Sequence, residues 1–283
     1  MILIIGSNGQ LGHEMQKKLK QKNIGFAAYD YPEVDITDKE NLCSIVDLVK
    51  PTAVINCAAY TNVDAAEIDS ENAYKVNALG AKYLAELCDE FDIELVHIST
   101  DYVFSGDGII ENGVKRPYVE TDQCAPVAVY GKTKYEGEQF VQSNCKKYYI
   151  LRTAWLYGDG NNFVRTMLAL AQKSDTITVV ADQIGSPTST VDLAEAIIAL
   201  IGSGAYGLYH ATCEGQCSWY DFAKKIFEIK HLNVNVVPVT SEQFVRSAKR
   251  PAWSVLENAA LQAVGKNVFR TWEDALIDYL HFN

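Results

Sequence analysis

The sequence predicts an α/β fold, a doubly wound parallel sheet with a smaller C-terminal lobe. Three observations carry that expectation. Short β-branched or apolar runs alternate with stretches of helical spacing through the first half of the chain, the order expected of repeated βαβ units. The first run ends in a glycine-rich turn that opens directly into a helical stretch. The alternation then loosens after about Thr153 with no linker between the halves, so the second half is expected to interleave with the first.

Strands are expected at Ile2–Ile5, Phe26–Tyr29, Ala53–Ala58, Glu94–Ser99 and Tyr148–Arg152, each short and apolar as the buried strands of a parallel sheet are. After the second run, Thr37-Asp38-Lys39-Glu40 has the spacing of a capping box with Thr37 at the cap. The helix it opens ends near Lys50-Pro51, where proline returns the chain to strand. From Ser70 to Phe91, Ala73, Val76, Gly80, Tyr83, Leu84 and Leu87 recur three or four apart, with Asn77 among them, which puts one apolar helix face against the sheet. Beyond Thr153, turns are expected at Gly158-Asp159-Gly160 and Gly202-Ser203-Gly204, and a helix from Trp219 to Lys230.

At 283 residues, 48% hydrophobic and 22% charged, the chain has the composition of a folded globular protein. A formal net charge of −11, with no cluster of Lys and Arg, argues against sequence-independent binding of nucleic acid. No apolar run approaches the roughly 20 residues that span a bilayer. The opening apolar stretch is cut after five residues by Gly6-Ser7-Asn8-Gly9, so neither a membrane span nor a signal peptide is expected. Seven scattered cysteines, an odd number, read as the reduced thiols of a cytoplasmic protein. Cys213 and Cys217 are the one close pair, without a second pair or histidines at zinc-ligand spacing, and no metal is assigned.

Gly6, Gly9 and Gly12 follow the first strand at three-residue spacing, with helical residues from Glu14 onward. Glycine allows the tight strand-to-helix turn and a close backbone approach, while the helix N-terminus offers N–H groups and a positive dipole to a pyrophosphate. Gly6, Asn8, Gly9, Gln10, Leu11 and Gly12 are therefore the candidate dinucleotide-binding loop. Asp30 ends the second strand 18 residues after Gly12, near the roughly 20-residue spacing at which a carboxylate takes an adenosine ribose hydroxyl. Asp35 and Ile36 follow closely and are assigned to the same cleft. Small residues close the third strand, which makes Ala58, Ala59 and Tyr60 candidates for the cofactor wall at the carboxyl edge of the sheet.

Tyr130 and Lys134 are four apart in Val129-Tyr130-Gly131-Lys132-Thr133-Lys134 and share a face if that stretch is helical. An ammonium beside a phenol favours phenolate, which predicts a tyrosine pKa lowered from about 10 toward working pH. Such a group gives or takes a proton at a carbonyl or hydroxyl.

Ser99-Thr100-Asp101-Tyr102-Val103-Phe104 precedes that pair by about 30 residues, and Arg152-Thr153-Ala154-Trp155 and Asp182-Gln183-Ile184-Gly185-Ser186-Pro187-Thr188 follow it. Together with the glycine loop these motifs resemble the extended short-chain dehydrogenase/reductase family, with Gly6, Gly9, Gly12, Asn77, Thr100, Tyr130 and Lys134 on its pattern. Within the family the chain is most similar to the dTDP-4-dehydrorhamnose reductases, over nearly its whole length.

The resemblance implies a Rossmann sheet in which residues 1–153 mainly bind NADPH or NADH and residues 154–283 mainly bind substrate, the two interleaved. It implies that Thr100 hydrogen-bonds a sugar carbonyl, Tyr130 protonates it, and Lys134 both tunes Tyr130 and holds the nicotinamide ribose. Asn77 would belong to the cofactor site, and Thr100, Asp101, Tyr102 and Trp155 to the sugar site. Ser99 and Thr100 point to opposite faces of a strand, and family position favours Thr100. The implied reaction is reduction of the 4-keto group of dTDP-4-dehydro-L-rhamnose to dTDP-L-rhamnose, for rhamnose-containing polysaccharide synthesis. Its partner is then a nucleotide-linked keto-sugar, and a homodimer is compatible with the resemblance. Related dehydratases carry Asp-Glu after the threonine where this chain has Asp101-Tyr102, which favours simple reduction. One departure from the reductase pattern lies in Lys249-Arg250-Pro251-Ala252-Trp253-Ser254, whose downstream Glu257-Asn258-Ala259-Ala260 lacks the usual lysine and so bears on the C-terminal contacts. The family also holds epimerases and a catalytically silent regulatory subunit of methionine adenosyltransferase, and intact Thr100, Tyr130 and Lys134 favour catalysis over the silent reading.

Overall fold

The computed structural model describes residues 1–244 and 246–282. Six parallel strands form its central sheet: Ile2–Ile5, Phe26–Tyr29, Ala53–Asn56, Glu94–Thr100, Tyr148–Thr153 and Gly207–His210. Across the sheet they lie in the order second, first, third, fourth, fifth, sixth. The winding reverses between the first and third strands, and the crevice at their carboxyl ends is the switch point where open α/β sheets bind ligands.

Neighbouring residues of each strand feed opposite cores. Ile2, Ile4, Ile55, Val96 and Leu151 pack on one side of the sheet, and Leu3, Ile5, Val54, Leu95 and Ile150 on the other. All ten are buried, as in a parallel sheet covered on both faces. The sixth strand, Gly207–His210, enters the main sheet beside Tyr149–Arg152. The later half of the chain thus contributes a strand to the main sheet, one that its sequence did not mark.

Three local expectations are corrected. The Lys39–Val49 helix is capped by Asp38, which accepts from Glu40 N at 3.0 Å and Asn41 N at 3.1 Å. Thr37 instead donates its hydroxyl to Asp35 Oδ1 at 2.7 Å, leaving the positive helix end to a carboxylate. The third strand stops at Asn56, because the Asn56 side chain accepts from Ala58 N at 3.1 Å and turns the chain out of the ladder. The helix expected over 70–91 is an α-helix Ser70–Tyr74, a π turn Lys75–Leu79 and an α-helix Gly80–Glu90. Such wide turns cluster at functional sites, and this one carries Asn77.

Beyond the main sheet, Ile184–Gly185 lies between Cys217–Ser218 and Trp253–Ser254 in a small sheet. The expected helix after Ser218 forms as Trp219–Ile229, with Ser218 and Asp221 closing a capping box. No helix among the described residues is long and apolar enough to cross a membrane.

Candidate active site

At the switch point Gly6 has φ +81°, and a Cβ there would lie 2.5 Å from the Ala58 nitrogen. A Cβ on Gly12 would lie 2.2 Å from the Gly6 carbonyl oxygen. Neither position has room for a side chain, so the Gln10–Gln21 helix starts hard against the sheet. Its first turn carries no acidic residue, which leaves the positive dipole end facing the crevice.

A cavity of about 390 Å³ lies between Gly6, Gly9, Asp30, Asp35, Ile36, Ala58 and Ala59. A second, of about 480 Å³, runs from Gly9, Gln10, Leu11 and Gly12 to Thr100, Tyr130 and Lys134. Gly9, Cys57, Ala58 and Ala59 line both, so the two form one trough. Asp30, at the far end, accepts from Asn8 N at 2.7 Å and Tyr31 N at 2.8 Å and ties the loop to the second strand.

Asn8, Tyr60 and Asn77, expected at the cofactor, do not line either cavity. Asn8 meets Asp30 through its backbone, and Tyr60 turns its hydroxyl toward Asp69 at 3.4 Å. Asn77 donates to Tyr60 O and to Thr133 Oγ1, both at 3.1 Å, and accepts from Tyr60 N at 2.9 Å. That spends its amide on fixing the loop after the third strand to the helix of Tyr130.

The trough fits a dinucleotide. Gln10 Oε1 and Thr153 Oγ1 are buried on its wall without a partner among the described residues. An unpaired buried polar atom costs on the order of 1–3 kcal/mol, which a polar ligand offsets.

Tyr130 and Lys134 share a face of the Val129–Asn144 helix, as their spacing predicts. A Cβ on Gly131 would lie 2.2 Å from the Tyr102 carbonyl oxygen, so glycine is what lets this helix touch the end of the fourth strand. Lys134 is 2% exposed; its Nζ donates to Ile98 O at 2.5 Å and stands 3.5 Å from His97 Nε2. Burial pulls its pKa down to about 8, and burial also holds His97 neutral, well below the usual histidine range.

The expectation of a lowered Tyr130 pKa is overturned. Burial holds the phenol well above its ordinary value. The Lys134 ammonium is directed at Ile98 O, and desolvation of the phenol prevails. A tyrosine in that state is protonated at neutral pH, the form that can donate.

Thr100 Oγ1 donates to Asp101 Oδ1 at 2.9 Å and accepts from Tyr102 N at 3.2 Å. Ser99 points the other way, donating to Glu138 Oε1 at 2.5 Å, the alternation expected of a strand. Asp101 is 5% exposed and accepts from Ser254 Oγ at 2.5 Å. Burial raises its carboxyl to about 6, against the hydrogen bonds from Ser254 and Thr100.

Asp101, Tyr102 and Trp155 also line a larger cavity of about 700 Å³ that adjoins the trough. Its walls are largely apolar, from Phe163, Met167, Ile177, Val179 and Trp219. Trp155 has φ 47°, rare for a bulky residue. That backbone turns its ring onto Trp219, stacked at 3.5 Å between centroids and 8° between planes. At another side stand Arg246 and Arg250. Arg250 pairs with Asp64 at 2.6 Å and donates to the Tyr102 hydroxyl at 3.4 Å.

Phe163, Trp219, Arg246, Arg250 and Ser254 were not assigned to the site from the sequence, and tertiary packing brings them to it. The available signal was the run Lys249-Arg250-Pro251-Ala252-Trp253-Ser254, just before the departure at Glu257–Ala260.

The model of the RmlD substrate binding domain matches residues 1–282. A dTDP-4-dehydrorhamnose reductase of Aggregatibacter actinomycetemcomitans is 42% identical over 289 residues, covering 97% of this chain and 96% of the relative. The crystal structure of a dTDP-4-dehydrorhamnose reductase from Clostridium acetobutylicum superposes with a TM-score of 0.95 at 48% identity, covering 99% of this chain and 98% of that one. That of a dTDP-4-dehydrorhamnose reductase from Bacillus anthracis, in complex with NADP, gives 0.94 at 42% identity, covering 100% and 99%. On sequence, fold and the placement of its glycine loop, the chain belongs to the RmlD substrate binding domain family.

Proposed function

We propose that this chain is an NAD(P)H-dependent oxidoreductase that reduces the 4-keto group of dTDP-4-dehydro-L-rhamnose to dTDP-L-rhamnose. One observation carries the reading: Thr100, Asp101 and Tyr130 stand where a trough fitted to a dinucleotide meets a large cavity with apolar walls and arginines. Relatives named for this reaction match the chain from end to end. NADP in the Bacillus anthracis structure supports NADPH, and Asp30 at the adenosine end supports NADH as well.

The Gly6–Gly12 loop and the helix behind it hold the pyrophosphate, with Asp30, Asp35 and Ile36 around the adenosine and Ala58 and Ala59 leaving room beside it. Asn8, Tyr60 and Asn77 fix the loops that form that wall. When bound, the reduced nicotinamide supplies a hydride to the keto carbon. Lys134 holds the nicotinamide ribose, and Tyr130, kept protonated by burial, gives its proton to the carbonyl oxygen while Thr100 orients it. Asp101, Tyr102 and Trp155 line the sugar, and Arg246 and Arg250 face the diphosphate. Residues 1–153 thus mainly serve the cofactor and residues 154–283 mainly the substrate. All seven cysteines are free, which supports a cytoplasmic site of action.

The test is NADPH oxidation on adding the keto-sugar nucleotide. Tyr130→Phe should keep cofactor affinity and lower turnover roughly 10²-fold or more; near-normal turnover removes Tyr130 from the mechanism. A chain that binds NADPH and never consumes it would instead be a silent regulatory subunit.

A further inference from the structure

A threonine hydroxyl has one hydrogen, and that of Thr100 is directed at Asp101 Oδ1, 2.9 Å away. Toward Tyr130, Thr100 therefore offers only a lone pair for as long as Asp101 is ionised. A protonated Asp101 reverses this: its own O–H points at Thr100 Oγ1, and the threonine hydrogen is released toward the tyrosine oxygen. Ser254, Asp101 and Thr100 form one hydrogen-bonded chain around a single carboxyl, and Tyr130 lines the same trough as Thr100 and Asp101.

We propose that Asp101 is the proton reservoir that reloads Tyr130 after each reduction, acting through the Thr100 hydroxyl. The inference rests on the reductase reading above, in which Tyr130 gives up its proton and is left as phenolate. Asp101 then passes its proton to Thr100 Oγ1 as the Thr100 hydrogen passes to the Tyr130 oxygen. One O–H bond breaks and one forms at each transfer, leaving neutral tyrosine, intact threonine and an Asp101 carboxylate. Asp101 lines both the trough and the large cavity, so it regains a proton from water when product leaves. Lys134 lines the trough as well, but its ammonium is bonded to Ile98 O beside His97.

The surroundings suit a carboxyl that titrates in the working range. Thr100 and Tyr102 flank it, Tyr130 faces it from the helix and Ser254 from the Trp253–Ser254 strand. The nearby cation, Arg250, is bonded to Tyr102 and paired with Asp64. Burial, opposed only by hydroxyl and backbone hydrogen bonds, raises the Asp101 pKa to about 6. The reservoir is loaded below that pKa, so steady-state turnover should decline as pH rises through it.

The experiment is rapid-mixing NADPH oxidation with dTDP-4-dehydro-L-rhamnose, comparing the first turnover with the steady state. In Asp101→Asn the steady-state rate should fall at least roughly tenfold further than the first-turnover rate, since only reloading needs the lost proton. Ser254→Ala removes a hydrogen bond that favours the ionised form, so the decline of steady-state turnover with pH should move up by about one unit. Equal losses in both phases of Asp101→Asn, no loss in either, or an unmoved decline in Ser254→Ala would overturn the relay. A wild-type protein that oxidises no NADPH with this substrate overturns the reductase reading itself.

Discussion

Lys134 is a cation held where water scarcely reaches, with a backbone carbonyl for its main partner. Burial leaves its pKa at about 8, so it is charged below that pH and neutral above it. A charged donor gives a hydrogen bond of about 1.5–3 kcal/mol, against about 1 for a neutral one. Affinity for NADPH should therefore weaken as pH rises from 7 to 9, the sign set by loss of the ammonium's proton. Lys134→Met should weaken binding roughly tenfold or more at pH 7 and flatten that dependence. Titration of NADPH binding by calorimetry checks both, and an unchanged dissociation constant in the variant would remove Lys134 from the ribose. The pairing of Tyr130 with Lys134 was legible in the sequence because i,i+4 spacing is local. The direction of the Tyr130 pKa was not, because it depends on how much protein surrounds the phenol, which no local spacing encodes.

The Val129–Asn144 helix is held in place from beneath by a buried ion pair. Glu138 accepts from Arg152 Nε at 2.9 Å and from Arg152 Nη2 at 2.7 Å, and from Ser99 Oγ at 2.5 Å. One side chain of the helix thus grips the fourth and fifth strands together, one turn below Lys134. Both partners are nearly inaccessible, at 1% and 3% exposure. Glu138→Gln leaves the guanidinium without its counter-charge, which costs about 3–5 kcal/mol and should lower the midpoint of thermal unfolding by roughly 10 °C. A midpoint shift below about 2 °C would show that the pair does not hold the helix. Five of the six sheet strands were legible because each is a compact apolar run before a turn. Gly207–His210 was not, since it is four residues long and becomes a strand only by lying beside Tyr149–Arg152. The helix cap moved by one residue because a carboxylate and a hydroxyl competed for the same N–H groups, and adjacency in the sequence does not say which prevails.

Over the whole molecule, the sheet sets the order of events along one continuous opening. The switch between the first and third strands places the glycine loop at one end. The carboxyl ends of the fourth and fifth strands place Thr100, Thr153 and Trp155 farther along. The interleaved later half closes the far side with Trp219, Arg246 and Arg250. The cofactor half of this site was legible because its residues sit in contiguous motifs. The substrate half was legible at Thr100, Asp101, Tyr102 and Trp155 and in the run that holds Gln183, and less so elsewhere, because the remaining walls come from segments up to about 150 residues apart, from Asp101 to Arg250. Much of the binding energy is expected from the nucleotide and diphosphate in that half, so the free keto-sugar should react far more slowly than the nucleotide-linked one. The most direct test of the central claim is NMR analysis of the product formed from dTDP-4-dehydro-L-rhamnose and NADPH deuterated at its transferable hydride. The expected product is dTDP-L-rhamnose carrying deuterium at C4, formed one for one with oxidised cofactor; NADPH bound without product, or deuterium at any other carbon, would rule out reduction of the 4-keto group.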